Sequence, residues 1–272
     1  MNYLMLTFIG IVGAFYYDTF KWLIESWMGN VYYSHGFVVP IISGYIIWKM
    51  RNDLINMERK ESQEGLIIFI SGLILQGVSV LYVIRFLSGL SLVVTIFGIV
   101  LYIYGWKFTN KVKFPILFLL LAVPLPFVDT VAPPAQTISA VVSSNLANML
   151  GTPTERDGLM LVTPAGLFEV ALECSGLKSV VSLLTLSIVY TFILEGGLLM
   201  KSTIILSSIP LAITGNILRI TSTLVVANVY GQDITMIYFH SFSDIIFFGI
   251  SLVGLLMVGR FFGKPKFKGN LI

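Results

Sequence analysis

Charge is scarce in this chain of 272 residues, in which 17 Lys and Arg and 14 Asp and Glu make up only 11% of the sequence. Soluble proteins carry roughly 25% charged residues. Hydrophobic residues reach 56%, and the mean hydropathy is +0.90. This composition excludes a soluble enzyme and predicts an all-α polytopic integral membrane protein. The net charge of +3 indicates no nucleic-acid partner, because the basic residues lie beside the apolar runs.

Cysteine is almost absent. The single Cys174 excludes an internal disulfide and any metal site built from several cysteines. We expect no metal and no cofactor. The thiol itself is either an inert buried group or a reacting one.

Long apolar runs are abundant, and about 20 apolar residues cross a bilayer as a helix. We predict about eight transmembrane helices, near residues 2–17, 35–50, 65–84, 86–105, 114–128, 174–194, 202–229 and 240–262. The first run has no basic leader and no small-residue cleavage site, which indicates a retained span and not a signal peptide. No internal repeat is visible, so we expect a single transmembrane domain over 1–272.

The longest stretch with polar residues is 129–173. Within it, Ala132–Leu150 has helical periodicity with polar side chains on one side, which predicts an extra interfacial or re-entrant helix. The segment Leu167–Ala171 is typical of a strand or extended chain.

Basic residues are retained on the cytoplasmic side of a membrane. With eight spans, most Lys and Arg fall on one face, and only Lys21, Arg85 and Arg156 lie in loops on the other. Both termini are therefore predicted to be cytoplasmic, in the cell membrane. The basic tail 263–272 is interpreted as a topology anchor.

Ionisable residues within spans are costly and indicate a functional site. Four are present here: Lys178, Arg219, His240 and Asp244. The topology places Cys174, Arg219 and His240 at one depth, towards the outer face. A thiol and an imidazole are the pair used for nucleophilic acyl transfer, and arginine can stabilise a thiolate, an oxyanion or a substrate carboxylate.

Structural alternatives stay open for each of these residues. Cys174 also fits as a small packing residue, and His240 as an interfacial or capping residue. Arg219 also fits as the structural partner of Asp244 or of backbone carbonyls. Lys178 either extends to the outer interface or favours the thiolate.

Five segments, in order, resemble the motifs of the exosortase/archaeosortase family. They are Tyr33-Ser34-His35-Gly36-Phe37-Val38-Val39-Pro40 followed by Trp48, Pro115-Ile116-Leu117-Phe118-Leu119 with Pro124-Leu125-Pro126, Glu173-Cys174-Ser175-Gly176-Leu177-Lys178-Ser179, Gly215-Asn216-Ile217-Leu218-Arg219-Ile220, and Phe239-His240.

The resemblance covers roughly residues 30–255. It implies a membrane cysteine protease and transpeptidase that forms a thioester with secreted substrate proteins. These substrates carry a C-terminal tripartite sorting signal of the PEP-CTERM or PGF-CTERM kind: a short Pro-containing motif, a transmembrane helix and a basic tail. Carried over by position, Cys174 is the nucleophile, His240 the general base and acid, and Arg219 the third catalytic residue. A membrane lipid is a possible acceptor of the product.

Three further residues are weighed as supporting. Asn216, one turn before Arg219, either orients Arg219 or the substrate or makes an interhelical hydrogen bond. His35 either supports the site or only begins a span at the interface. Asp244 departs from the family pattern, where a small residue is expected, and would hold His240 as the imidazolium or pair with Arg219.

The competing class is a transporter or carrier with a polar site formed by spans six to eight. The absence of any repeat and the location of the ionisable residues at one face favour the enzyme.

Overall fold

The computed structural model describes Gly10 and residues 12–262, apart from the side chains of Glu173, His240 and Ser241. Most of the predicted span 2–17 and the whole basic tail 263–272 therefore lie outside the described residues.

The described part of the chain is mainly helical. The helices are α1 Tyr17–Gly29, α2 Val38–Lys49, α3 Arg51–Ile55, α4 Gln63–Tyr82, α5 Arg85–Phe118, α6 Val128–Met149, α7 Leu177–Ile193, α8 Leu198–Tyr230, α9 Gln232–Ile234 and α10 His240–Phe261. Shorter 3₁₀ segments lie at Val31–Phe37, Leu119–Ala122 and Leu172–Ser175, and a π-helical segment lies at Thr235–Phe239.

Within the described residues, four helical segments are long and apolar enough to cross a membrane: Gln63–Tyr82, Arg85–Ala122, Leu198–Tyr230 and Phe242–Phe261. Helix α7 is apolar but shorter. These segments confirm the predicted all-α polytopic membrane fold. The count of eight crossings stays a prediction.

One predicted loop is absent. Residues 106–113, between two predicted spans, are helical and belong to α5, which has a kink at Gly105. Gly105 has a φ of 74°, a value that glycine adopts without the steric cost of a Cβ atom. The carbonyl of Lys60 lies where that Cβ would be, so the kink depends on a contact outside the helix.

A small antiparallel sheet interrupts the helices. Its strands are β1 Glu155–Asp157, β2 Met160–Thr163 and β3 Gly166–Glu169, in the order β1-β2-β3. Leu161 of β2 lies opposite Phe168 of β3, and both side chains are buried. The extended conformation predicted for Leu167–Ala171 is thus present over most of that segment. Helix α6 likewise covers nearly all of the predicted helix Ala132–Leu150.

The chain divides into two compact units, with the boundary in the sequence between Pro126 and Phe127. In the first unit, α4 and α5 approach closely, because Gly65 and Gly98 leave room for the backbone of the opposite helix. The expectation of a single domain over 1–272 stays a prediction.

The second unit holds the core that contains Cys174. Buried residues of α6, of the sheet and of α8 form this core, among them Ala140, Leu161, Phe168 and Leu224. Helix α6 can contribute to this core because its buried residues recur at helical spacing and so lie on one face. Cys174 is thereby fixed between a strand and two helices.

Candidate active site

Cys174 lies in the short turn that joins the sheet to α7. Its N–H donates to the carbonyl of Ala171 at 2.8 Å, within the 3₁₀ segment Leu172–Ser175. Gly176 follows with a φ of 82°, a left-handed conformation that suits glycine. Cys174 is only 8% exposed, so this turn presents the thiol to the interior of the unit and not to the surface.

Two buried amide side chains hold the backbone of this turn and of the residues just before it. Asn216 of α8 donates through Nδ2 to the carbonyl of Cys174 at 2.7 Å. Gln136 of α6 donates through Nε2 to the carbonyl of Val170 at 3.0 Å. Buried carbonyls need such partners. The position of Cys174 is therefore set by side chains from two different helices.

A cavity of about 280 Å³ lies beside Cys174. Its walls are largely apolar, formed by residues of the sheet, α8 and the π-helical segment, including Leu161, Phe168, Val170, Ile220, Leu224 and Met236. Cys174, Arg219, Glu169 and Thr223 are its polar lining residues. The structure thus brings the predicted nucleophile and the predicted third catalytic residue to the same cavity.

Arg219 is almost fully buried, with 5% of the residue exposed, and it forms an ion pair. Its Nη1 donates to Oδ1 of Asp244. The other carboxylate oxygen of Asp244, Oδ2, lies 3.7 Å from Nζ of Lys178 on α7. Of the two partners weighed for Asp244, Arg219 is the one observed. Arg219 therefore makes the structural pair with Asp244 that was one of its alternatives, and it also lines the cavity.

Lys178 follows Cys174 by four residues and lies in the first turn of α7. Its side chain is 42% exposed, and that of Asp244 is 48% exposed. Lys178 thus reaches the surface while it pairs with a carboxylate, in keeping with the expected extension towards an interface.

His240 begins α10, directly after the π-helical segment Thr235–Phe239. Its side chain is outside the described part, so its place near Cys174 stays a prediction. Asp244 lies one turn further along the same helix. Helix α10 therefore connects the predicted base to the observed ion pair.

His35 lies in the first unit, whereas Cys174 lies in the second. It belongs to the 3₁₀ segment Val31–Phe37, and its Nε2 lies 3.3 Å from the carbonyl of Leu121. This contact ties His35 to the 3₁₀ segment that follows α5. A part in catalysis stays a prediction.

Asn216 makes the interhelical hydrogen bond that was one of its two expected roles. Besides Cys174, its Nδ2 donates to Oγ of Ser139 on α6 at 3.2 Å. Sequence reasoning did not single out Ser139 or Gln136. The spacing of Gln136, Ser139 and Ser143 could have indicated them, because it places these polar residues on one face of the predicted helix.

No metal site is visible in the described residues, where no three His, Cys, Asp or Glu side chains gather as ligands. Among the polar residues that line the cavity, Cys174 and Arg219 supply a thiol and a guanidinium, which are groups that acyl-transfer chemistry uses.

The helices and their composition define a polytopic integral membrane protein of mainly helical fold. The comparison with protein families then gives its membership: the model for the transmembrane exosortases matches residues 27–257. Since this match covers most of the chain, the protein belongs to the transmembrane exosortase family, and thus to the membrane enzymes of protein sorting. No curated protein and no solved structure matched the chain.

Proposed function

We propose that this protein is a cysteine protease and transpeptidase that removes C-terminal tripartite sorting signals from secreted proteins. The observation that carries the proposal is that Cys174 and Arg219 line one apolar cavity, in a chain of the transmembrane exosortase family. The family match also favours the enzyme over the carrier.

His240 accepts the proton of the Cys174 thiol, and the resulting thiolate attacks the carbonyl carbon of the scissile peptide bond to form a tetrahedral intermediate. Arg219 lines the cavity and offers guanidinium donors beyond the one that contacts Asp244, which suits it to stabilise the negative oxygen of this intermediate. The C–N bond then breaks, and His240 protonates the leaving amine. The substrate remains as a thioester on Cys174.

The thioester is resolved by water, or by an amine or hydroxyl of a membrane lipid. His240 accepts the proton of this acceptor, the C–S bond breaks, and the thiol of Cys174 is regenerated. The role of His240 rests on its position in the family motif.

Strand β3 is suited to receive the substrate backbone. It is an outer strand of the sheet, and the cavity extends along it and onward to Ala171 and Cys174. At its beginning, Gln232 donates to the carbonyl of Leu167 at 2.9 Å, which shows that this edge accepts hydrogen bonds from outside the sheet. An extended peptide added to such an edge is a common mode of recognition, and here it would lead the peptide to the thiol.

The test is processing of a co-expressed tagged substrate that carries a tripartite tail. Cys174→Ala removes the nucleophile, so we expect uncleaved substrate at wild-type levels of membrane-inserted enzyme. Asp157→Ala, at an exposed position of β1, is the matched control and should leave processing unchanged. Continued processing by Cys174→Ala would show that the nucleophile is assigned wrongly.

The outer location of the site and the cytoplasmic termini are tested by labelling. Cys174 is the only cysteine, so a membrane-impermeant maleimide on intact cells should label the wild-type protein slowly and Cys174→Ala not at all. In the Cys174→Ala background, Asp157→Cys should label rapidly and Asn56→Cys should stay unlabelled, since their positions are exposed but predicted on opposite sides. The reverse pattern would overturn the orientation.

A further inference from the structure

One carboxylate connects three helices of the candidate site. Asp244 of α10 accepts from Nη1 of Arg219 on α8 through Oδ1, and its Oδ2 lies 3.7 Å from Nζ of Lys178 on α7. We call these three residues the ionic junction. Helix α7 follows the Cys174 turn, and α10 begins at His240, so the junction links the elements that hold the proposed catalytic residues.

The three members of the junction differ in burial. The Arg219 side chain is 6% exposed, whereas that of Asp244 is 48% exposed. A buried guanidinium without a counter-ion would be strongly destabilised. In the described residues Asp244 is the carboxylate paired with Arg219, so Asp244 keeps this cation in place.

Fixing one nitrogen of a guanidinium also fixes the others. The group is planar and rigid, so the contact between Nη1 and Asp244 restricts the directions in which its remaining donors point. Arg219 lines the cavity that holds Cys174. Removal of Asp244 would leave the positive charge in the chain but release it from this orientation.

The junction also carries a net charge, and Arg219 is the member that lines the cavity together with Cys174. Arg219 and Lys178 supply two positive charges and Asp244 one negative charge, which leaves a net charge of +1. Two further titratable residues are Glu169 in the cavity wall and His240, whose backbone begins α10.

We infer that Asp244 is a positioning residue, whose carboxylate aims the Arg219 guanidinium at the cavity and limits the positive charge beside Cys174. This inference rests on the proposed function and assigns a role to a residue that does not react. It predicts opposite effects of one substitution on two measurements. Without Asp244 the thiol should ionise more readily, yet the enzyme should cleave more slowly.

The experiment compares Asp244→Asn with Asp244→Glu and Lys178→Gln, each purified and reconstituted in nanodiscs. Asp233→Asn, an acid at an exposed position of α9, is the matched control. Two quantities are measured: single-turnover cleavage of a tripartite-tail substrate at several substrate concentrations, and the rate of Cys174 alkylation by iodoacetamide as a function of pH.

For Asp244→Asn we expect cleavage to fall roughly 10- to 100-fold at saturating substrate, as for a misplaced catalytic group. The midpoint of its alkylation profile should move to lower pH, because the negative charge that pairs with Arg219 is lost. Lys178→Gln should move the midpoint to higher pH. Asp244→Glu should recover part of the cleavage, and Asp233→Asn should match the wild type in both measurements.

Cleavage by Asp244→Asn within two-fold of wild type would overturn the inference. So would a loss of cleavage with an unmoved midpoint, because a merely structural residue would give that result. Failure of the proposed function is a separate outcome, seen when Cys174→Ala still processes substrate.

Discussion

The bond between Asn216 and the Cys174 carbonyl gives the most direct test of how the site is built. Asn216→Ala removes the hydrogen bond of 2.7 Å to Cys174 and that of 3.2 Å to Ser139. Interhelical hydrogen bonds in membrane proteins contribute about 0.6 kcal/mol on average, and hydrogen bonds in general about 1 kcal/mol. The two bonds together therefore contribute about 1 to 2 kcal/mol.

That free energy fixes the place of the thiol, because one of the two bonds ends on the Cys174 backbone. If the loss appears entirely as misplacement of Cys174, it corresponds to roughly a 5- to 30-fold slower cleavage, since 1.36 kcal/mol is a factor of ten. Ser139→Ala removes only the longer bond and leaves the carbonyl of Cys174 held. We expect it to slow cleavage by less than about three-fold.

The assay is single-turnover cleavage in nanodiscs, with the membrane-inserted amount of each variant measured by its tag. Asn216→Ala should retain its insertion and lose rate. Equal losses in Asn216→Ala and Ser139→Ala would refute the reasoning, as they would assign the effect to helix packing and not to the Cys174 turn.

Three other substitutions have expected results. Gly176→Ala should lower cleavage at least ten-fold in the same assay, because its φ of 82° costs an L-residue roughly 1–2 kcal/mol and the new Cβ would lie 3.2 Å from Asn216. Gly105→Ala should lower the thermal unfolding midpoint in detergent by several degrees, because its Cβ would overlap the Lys60 carbonyl; an unchanged midpoint would contradict the kink. Arg219→Lys should impair cleavage severely, since a point charge does not replace a planar set of donors, and near-normal cleavage would indicate a structural arginine.

The apolar runs predicted most helices to within a few residues. The run 65–84 corresponds to Gln63–Tyr82, and the run 202–229 to Leu198–Tyr230. Length and hydropathy are local properties, so they can be read along the chain. The continuation of α5 through residues 106–113 could not be read this way. There the chain alternates apolar and basic residues, and the kink depends on a close approach to a distant carbonyl.

The members of the site were predictable by type, but their contacts were not. Motifs and span positions singled out Cys174, Arg219 and Asp244. Whether Asp244 reaches Arg219 depends on how α8 and α10 rotate against each other. The glycine at 215 permits that contact, because a Cβ there would overlap Ser251 of α10. Such tertiary choices are set by packing across helices, which a single sequence does not display.

The ionic junction brings three charged residues together in a chain that has few of them. Buried ion pairs are weak contributors to stability, and apolar residues of similar volume often pack at least as well. A membrane protein that needed only to join α7, α8 and α10 could do so with small residues, as Gly215 and Ser251 already do between α8 and α10. Stability alone therefore does not account for Arg219, Asp244 and Lys178 at one point. The function we propose gives these residues a second use, because a nearby net positive charge favours formation of a thiolate and of an oxyanion.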